Sequence, residues 1–177
     1  LDGFLDLFIT NIGRSVLLRN SGDGRKFTDT AVDAGVGIGM IGDERRVSWG
    51  AVFFDYDNDG DEDLYVVSGM LFKRGPTGQR NVLLRNRGDG TFADVSLASG
   101  ADDPGVGRGG VYLDFNNDGC LDLFVSNLGQ GAGLFQNMCV SGNNWLVIET
   151  VGTTSNRDGV GARITVSTGG TTQIREI

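Results

Sequence analysis

Short apolar runs, broken by glycine-rich polar turns, recur along the chain. "AVFF" (51–54) and "LYVV" (64–67) are four-residue apolar runs rich in β-branched and aromatic side chains. Runs of that length between turn formers predict strands buried on both faces. "NVLLRN" (81–86) and "TFADV" (91–95) alternate apolar and polar positions, which predicts strands with one face on a core. The "GDG" between them is a hairpin-turn signature. Helical periodicity is weak everywhere: "DTAVDAGV" (29–36) and "DVSLASGAD" (94–102) predict one helical turn at most.

The strand-and-turn unit repeats. "LDGFLDLFITN" (1–11), "DNDGDEDLYVVSG" (57–69) and "NNDGCLDLFVSN" (116–127) align on Asp-Gly pairs at Asp2, Asp59 and Asp118, spaced 57 and 59 residues apart. "VLLRNSGDGRKFTDT" (16–30) matches "VLLRNRGDGTFADV" (82–95), with a shorter echo in "GLFQN" (133–137). "SWGAVFFD" (48–55) matches "GRGGVYLD" (107–114). Short strands at this period predict an all-β fold, a partial β-propeller of about two four-stranded blades over residues 1–140. After "CVSGNN" (139–144) the pattern changes. Residues 141–177 predict a separate small β domain with strands at 145–151, 162–167 and 171–177. Closed propellers need at least four blades. Two blades would need further blades of a larger protein, or neighbouring chains, to cover their open edges.

Composition narrows the chemistry. The 177 residues include 30 Gly and only 2 Pro, and carry a net charge of −8. That balance disfavours nucleic acid and favours cations. Histidine is absent, which removes imidazole-based catalysis and the usual zinc sites. Cys120 and Cys139 are the two cysteines, and both a disulfide and two free thiols stay open. No run of about 18 apolar residues suggests a membrane span. The chain opens at "LDGFLDLF" without an initiator Met, so it reads as an internal segment or a processed product, and the lack of a visible signal peptide says little. No Asn-x-Ser/Thr sequon occurs, so N-glycosylation is not expected.

The candidate chemistry sits in "DYDNDGDED" (55–63), where six acidic side chains fall within nine positions. Asp55, Asp57 and Asp59 occupy loop positions one, three and five, Gly60 six, Asp61 seven and Asp63 nine. A hard cation such as Ca²⁺ takes six to eight oxygens at about 2.3–2.6 Å. Alternate carboxylates in a tight loop supply such oxygens, Gly at six permits the sharp turn, and Asp61 offers its carbonyl. The spacing resembles the first nine positions of an EF-hand, but Val66 stands where its bidentate Glu would be, and the flanks read as strands. Glu62, at position eight, is expected to face solvent. The second copy, "DFNNDGCLD" (114–122), places Asp114, Asn116, Asp118, the Cys120 carbonyl and Asp122 in the same roles, with one carboxylate fewer and so weaker expected binding. In the first copy only Asp2 and Asp6 remain. The competing reading is a solvated acidic turn; its repetition in register with the strands argues against that.

These loops between strands, together with "RNxGDGxFxDV", resemble FG-GAP/VCBS repeats, the calcium-bearing blades of integrin-α-like propellers. The tail "NNWLVIETVGTTSNRDGVGARITV" resembles the ASPIC/UnbV domain, which follows such repeats. The resemblance implies secreted or cell-surface proteins with calcium in blade loops, an adhesion or matrix role, and no catalytic machinery. Alternatives are a carbohydrate-binding, lectin-like propeller, for which Trp49 and Trp145 are the aromatic candidates although both read as core, and a glycosidase-like Asp pair. Carboxylates held ionised by a metal do not suit that acid–base pair. A protein or glycan partner is expected on either binding reading. "NRDG" (156–159) reads as a tight turn, and Arg45-Arg46 as a solvated loop.

Overall fold

The computed structural model describes residues 3–70 and 79–177. It is all-β, with small antiparallel sheets and a single short helix among the described residues. The first sheet joins β1 (Leu7–Ile9), β2 (Val16–Asn20) and β3 (Phe27–Asp29). A two-stranded ribbon follows, β4 (Met40–Ile41) with β5 (Glu44–Arg45). The middle sheet is a four-stranded meander of β6 (Ser48–Phe54), β7 (Asp63–Ser68), β8 (Val82–Asn86) and β9 (Phe92–Asp94). Helix α1 (Ser96–Ser99) leads into the third sheet: β10 (Gly107–Leu113), β11 (Asp122–Asn127) and β12 (Gly133–Phe135). A hairpin of β13 (Arg163–Thr168) and β14 (Thr171–Glu176) completes the chain. These sheets of three, four and three strands are consistent with repeated blades, of which only the middle one has four strands among the described residues.

The middle sheet is buried on both faces, as its apolar runs predict. Every residue of β7 is buried. Successive side chains alternate between faces. Leu64 and Val66 therefore pack with Ala31, Ala34, Val36, Val82 and Leu84, toward the first sheet. Tyr65 and Val67 pack with Phe54, Leu83, Ala101, Leu123 and Val125, toward the third. The glycines of "GRGG" have a steric cause. A Cβ on Gly107 would sit 2.4 Å from Val67 Cγ1, and one on Gly110 would sit 2.9 Å from Val67 Cγ2. Only a residue without a side chain lets β10 approach the middle sheet this closely.

Four readings are corrected by the structure. Residues 145–151 form no strand; no strand pairs with them among the described residues, and Trp145, Leu146, Val147 and Ile148 are exposed. Trp145 is 52% exposed and so not a core residue, while Trp49 is half-buried and donates its Nε1–H to the Gly69 carbonyl at 2.7 Å. Arg46 is not a solvated loop residue: its guanidinium donates to Ser68 Oγ at 3.1 Å and to the Arg80 carbonyl at 2.5 Å. Glu62 does not simply face solvent but pairs with Arg175 of β14 at 3.3 Å, which holds the terminal hairpin against the acidic loop.

Candidate metal centre

The β6–β7 connection is the acidic loop, and its backbone folds around the first carboxylate. Asp55 accepts the N–H of Asp59 on Oδ1 (3.0 Å) and of Gly60 on Oδ2 (2.9 Å), while Asp59 Oδ1 accepts the N–H of Asp61 (2.9 Å). These Asx-type bonds need left-handed backbone at two points, met by Asn58 (φ 55°) and Gly60 (φ 98°). The β10–β11 connection reproduces the arrangement. Asp114 accepts from Asp118 (3.1 Å) and Gly119 (2.9 Å), Asp118 accepts from Cys120 (2.9 Å), and Asn117 (φ 59°) and Gly119 (φ 86°) take the left-handed positions.

The ninth position is buried, with Asp63 at 0% and Asp122 at 1% exposure. Asp63 accepts the N–H of Tyr56 on Oδ2 (3.1 Å) and of Asn86 on Oδ1 (2.7 Å). Asp122 accepts from Phe115 (3.2 Å) and Asn137 (2.7 Å). In the first sheet Asp6 accepts from Asn20 (2.7 Å). The asparagines close the clamp by donating Nδ2–H to loop carbonyls: Asn20 to Leu5, Asn86 to Glu62 and Asn137 to Leu121. The acidic spacing does not reveal these three residues. Their signal is the Asn closing each "VLLRN", "VLLRN" and "GLFQN" repeat.

In the first full loop, one oxygen from each of Asp55, Asp57 and Asp63 lies within 4.8 Å of the others. Ligands on one Ca²⁺ are at most about 5 Å apart, so a single ion can span this group. Asp57 Oδ1 is buried with no hydrogen-bond partner. A buried acceptor left unpaired is costly, and an ion at the group would pair it. Asp59 and Asp61 stand outside the group, and the Asp61 backbone N–H donates to Asp59 Oδ1. Burial and neighbouring carboxylates disfavour charge here: desolvation pushes Asp55 and Asp57 up, and Asp63 up to about 7. The residues present fit a hard cation.

The second loop differs. Asn116 donates to Asp118 Oδ2 at 2.7 Å, so part of its polar set is satisfied internally. Beside it, Cys120 and Cys139 form a disulfide with a Cα–Cα distance of 5.8 Å. Their sulfurs lie near Asp118 but are bonded to each other and are not thiolate ligands. Asp2 lies outside the described residues.

An FG-GAP-like repeat profile matches residues 1–66 and 67–125, which include both full loops and all three loop-closing aspartates described above. The chain belongs to the FG-GAP-like repeat family. Cartilage acidic protein 1 from Homo sapiens is 43% identical over 63 residues, 35% of this chain and 10% of the relative. The Xenopus tropicalis and Mus musculus proteins of that name are 41% and 40% identical over the same length and shares. The matched stretch spans about a tenth of each of these relatives. The family match ends at residue 125, and no ASPIC/UnbV match accompanies it over the tail.

Proposed function

We propose that this chain is a non-catalytic, calcium-binding structural module of an extracellular protein, in which ions staple the β6–β7 and β10–β11 connections of adjacent FG-GAP-like blades. The observations that carry this reading are the group of Asp55, Asp57 and Asp63 and, on the same Asp57, a buried Oδ1 without a hydrogen-bond partner. Asp55 and Asp57 present carboxylates from the loop, and Asp63 presents one from the start of β7. Asp59 and the Asp61 carbonyl complete the set at positions five and seven. In the second loop Asp114, Asn116, Asp118, the Cys120 carbonyl and Asp122 take the same roles. A bound Ca²⁺ supplies positive charge that offsets the repulsion among these carboxylates. Asp63 already accepts the backbone N–H of Asn86 in β8, and Asp122 that of Asn137 just after β12, so they link loop order to the sheet. The residues themselves offer position and charge, and carboxylates held ionised by a cation suit a structural role better than acid–base chemistry.

An extracellular setting is supported by the disulfide and by the similarity to cartilage acidic protein 1. We read residues 1–140 as blades and 141–177 as the start of an ASPIC/UnbV-like domain, on the sequence of that tail. The partner is then a protein or glycan, or a neighbouring blade or chain against the exposed outer faces of the first and third sheets. Calcium calorimetry on the wild type, Asp55→Asn and Asp114→Asn tests the assignment. Loss of the tighter site in Asp55→Asn and of the weaker site in Asp114→Asn is expected. Unchanged binding in both variants would remove the reading.

A further inference from the structure

The two acidic loops are not independent in space. Asn137, directly after β12, donates its backbone N–H to Asp122 of the second loop at 2.7 Å and its Nδ2–H to the Tyr56 carbonyl of the first at 2.6 Å. Asn143 donates Nδ2–H to the Asp57 carbonyl at 3.0 Å. The carbonyls on both sides of the Asp57 Cα are therefore fixed by residues that follow the third sheet. Asp57 is the residue whose buried Oδ1 lacks a partner. In the opposite direction, Asn58 of the first loop donates Nδ2–H to the Gly119 carbonyl at 3.3 Å, one residue before the Cys120 carbonyl at position seven of the second loop. The Cys120–Cys139 disulfide then ties the Asn137–Asn143 strap to that same loop.

We infer that Asn137 and Asn58 are positioning residues that make the two loops one coupled cation-binding unit. The inference rests on the calcium reading above and concerns how its two sites communicate. Ordering the second loop fixes Asp122 and Asn137, which fixes the Tyr56 carbonyl and so the approach of Asp57 in the first. Ordering the first loop fixes Asn58, and through it the peptide that leads to Cys120. Coupling of this kind is a reciprocal free energy: each ion raises the affinity for the other by one shared factor.

Calcium calorimetry on the full 177-residue chain tests it, with the wild type beside Asn137→Ala and Asn58→Gly. Gly accepts the left-handed backbone at position 58 and deletes only the amide, so this variant keeps the test intact if Asn137→Ala fails to fold. The wild type is expected to bind two ions, the first raising the affinity for the second at least ~5-fold, the low end of measured couplings. Each folded variant is expected to bind two ions without that enhancement. Reciprocity adds a second readout: Asp55→Asn should weaken the remaining site by the same factor as Asp114→Asn weakens its counterpart. Two ions bound independently by the wild type overturn the coupling and leave the calcium reading standing, one ion bound overturns the coupling and leaves a single calcium site standing, and full coupling in Asn58→Gly overturns the role of Asn58 in the inference. No ion bound overturns both.

Discussion

Chelated protein should lose stability as pH rises from 5 to 8, the reverse of ordinary acid denaturation. The perturbation is ionisation of Asp63, whose carboxyl is pushed up to about 7 by burial, while Asp55 and Asp57 are raised in the same direction by the same cause. In the unfolded chain these groups titrate near the ordinary value of about 4. Between that value and about 7 the native state holds more protons than the unfolded one, so stability falls with increasing pH and levels off above the folded-state value. From pH 5 to 8 the loss is on the order of 2 kcal/mol, after allowing for solvent screening at the loop. The lowered carboxylates Asp23, Asp29 and Asp89 act in the opposite direction, but only below about pH 4, outside the window. Urea unfolding in excess chelator at pH 5, 6, 7 and 8 measures the trend. With saturating calcium the slope should reverse, because coordination needs the ionised carboxylates and strengthens with pH. Chelated protein that is equally stable at pH 5 and 8, or more stable at pH 8, would refute the reasoning that Asp63 is buried against its own charge.

Two further outcomes follow from the packing. Cys139→Ser should lower stability by about 3 kcal/mol, since the bridge closes a loop with a sequence separation of 19; a urea midpoint equal to that of the oxidised wild type would contradict this. Gly107→Ala should cost roughly 1–3 kcal/mol by forcing a methyl onto Val67, while Gly131→Ala, with nothing within 4 Å of the added carbon, should move the same midpoint far less.

Strand positions were readable wherever apolar runs met turn formers. "AVFF" and "LYVV" lie within β6 and β7, and "VLLRN" within β2 and again within β8. The same logic failed at "WLVIETV": its residues suit a strand, but strand formation needs a partner ladder, and periodicity carries no information about partners. The convergence of Asp55, Asp57 and Asp63 was legible because alternate positions of a tight loop are local. What lay outside the nine positions was not. Asn86 and Asn137 reach the loops from across the sheet, and the ion pair of Glu62 with Arg175 joins residues far apart in sequence. Both depend on register and docking, which local spacing does not encode. The disulfide was left open by its sequence spacing and is set by the fold, which brings Cys139 beside the second loop.

The most direct test is a thermal melt at pH 7.5 in excess chelator and again in calcium at about 100 times its dissociation constant. If Asp55, Asp57 and Asp63 hold an ion that staples β6 to β7, one site alone adds about 2.7 kcal/mol, or roughly 5–10 °C for a chain of this size. The same melt with magnesium should show a smaller rise, since that ion dehydrates reluctantly and demands a tighter octahedral shell. Superimposable melts with and without calcium would contradict the assignment of the loop as a metal centre.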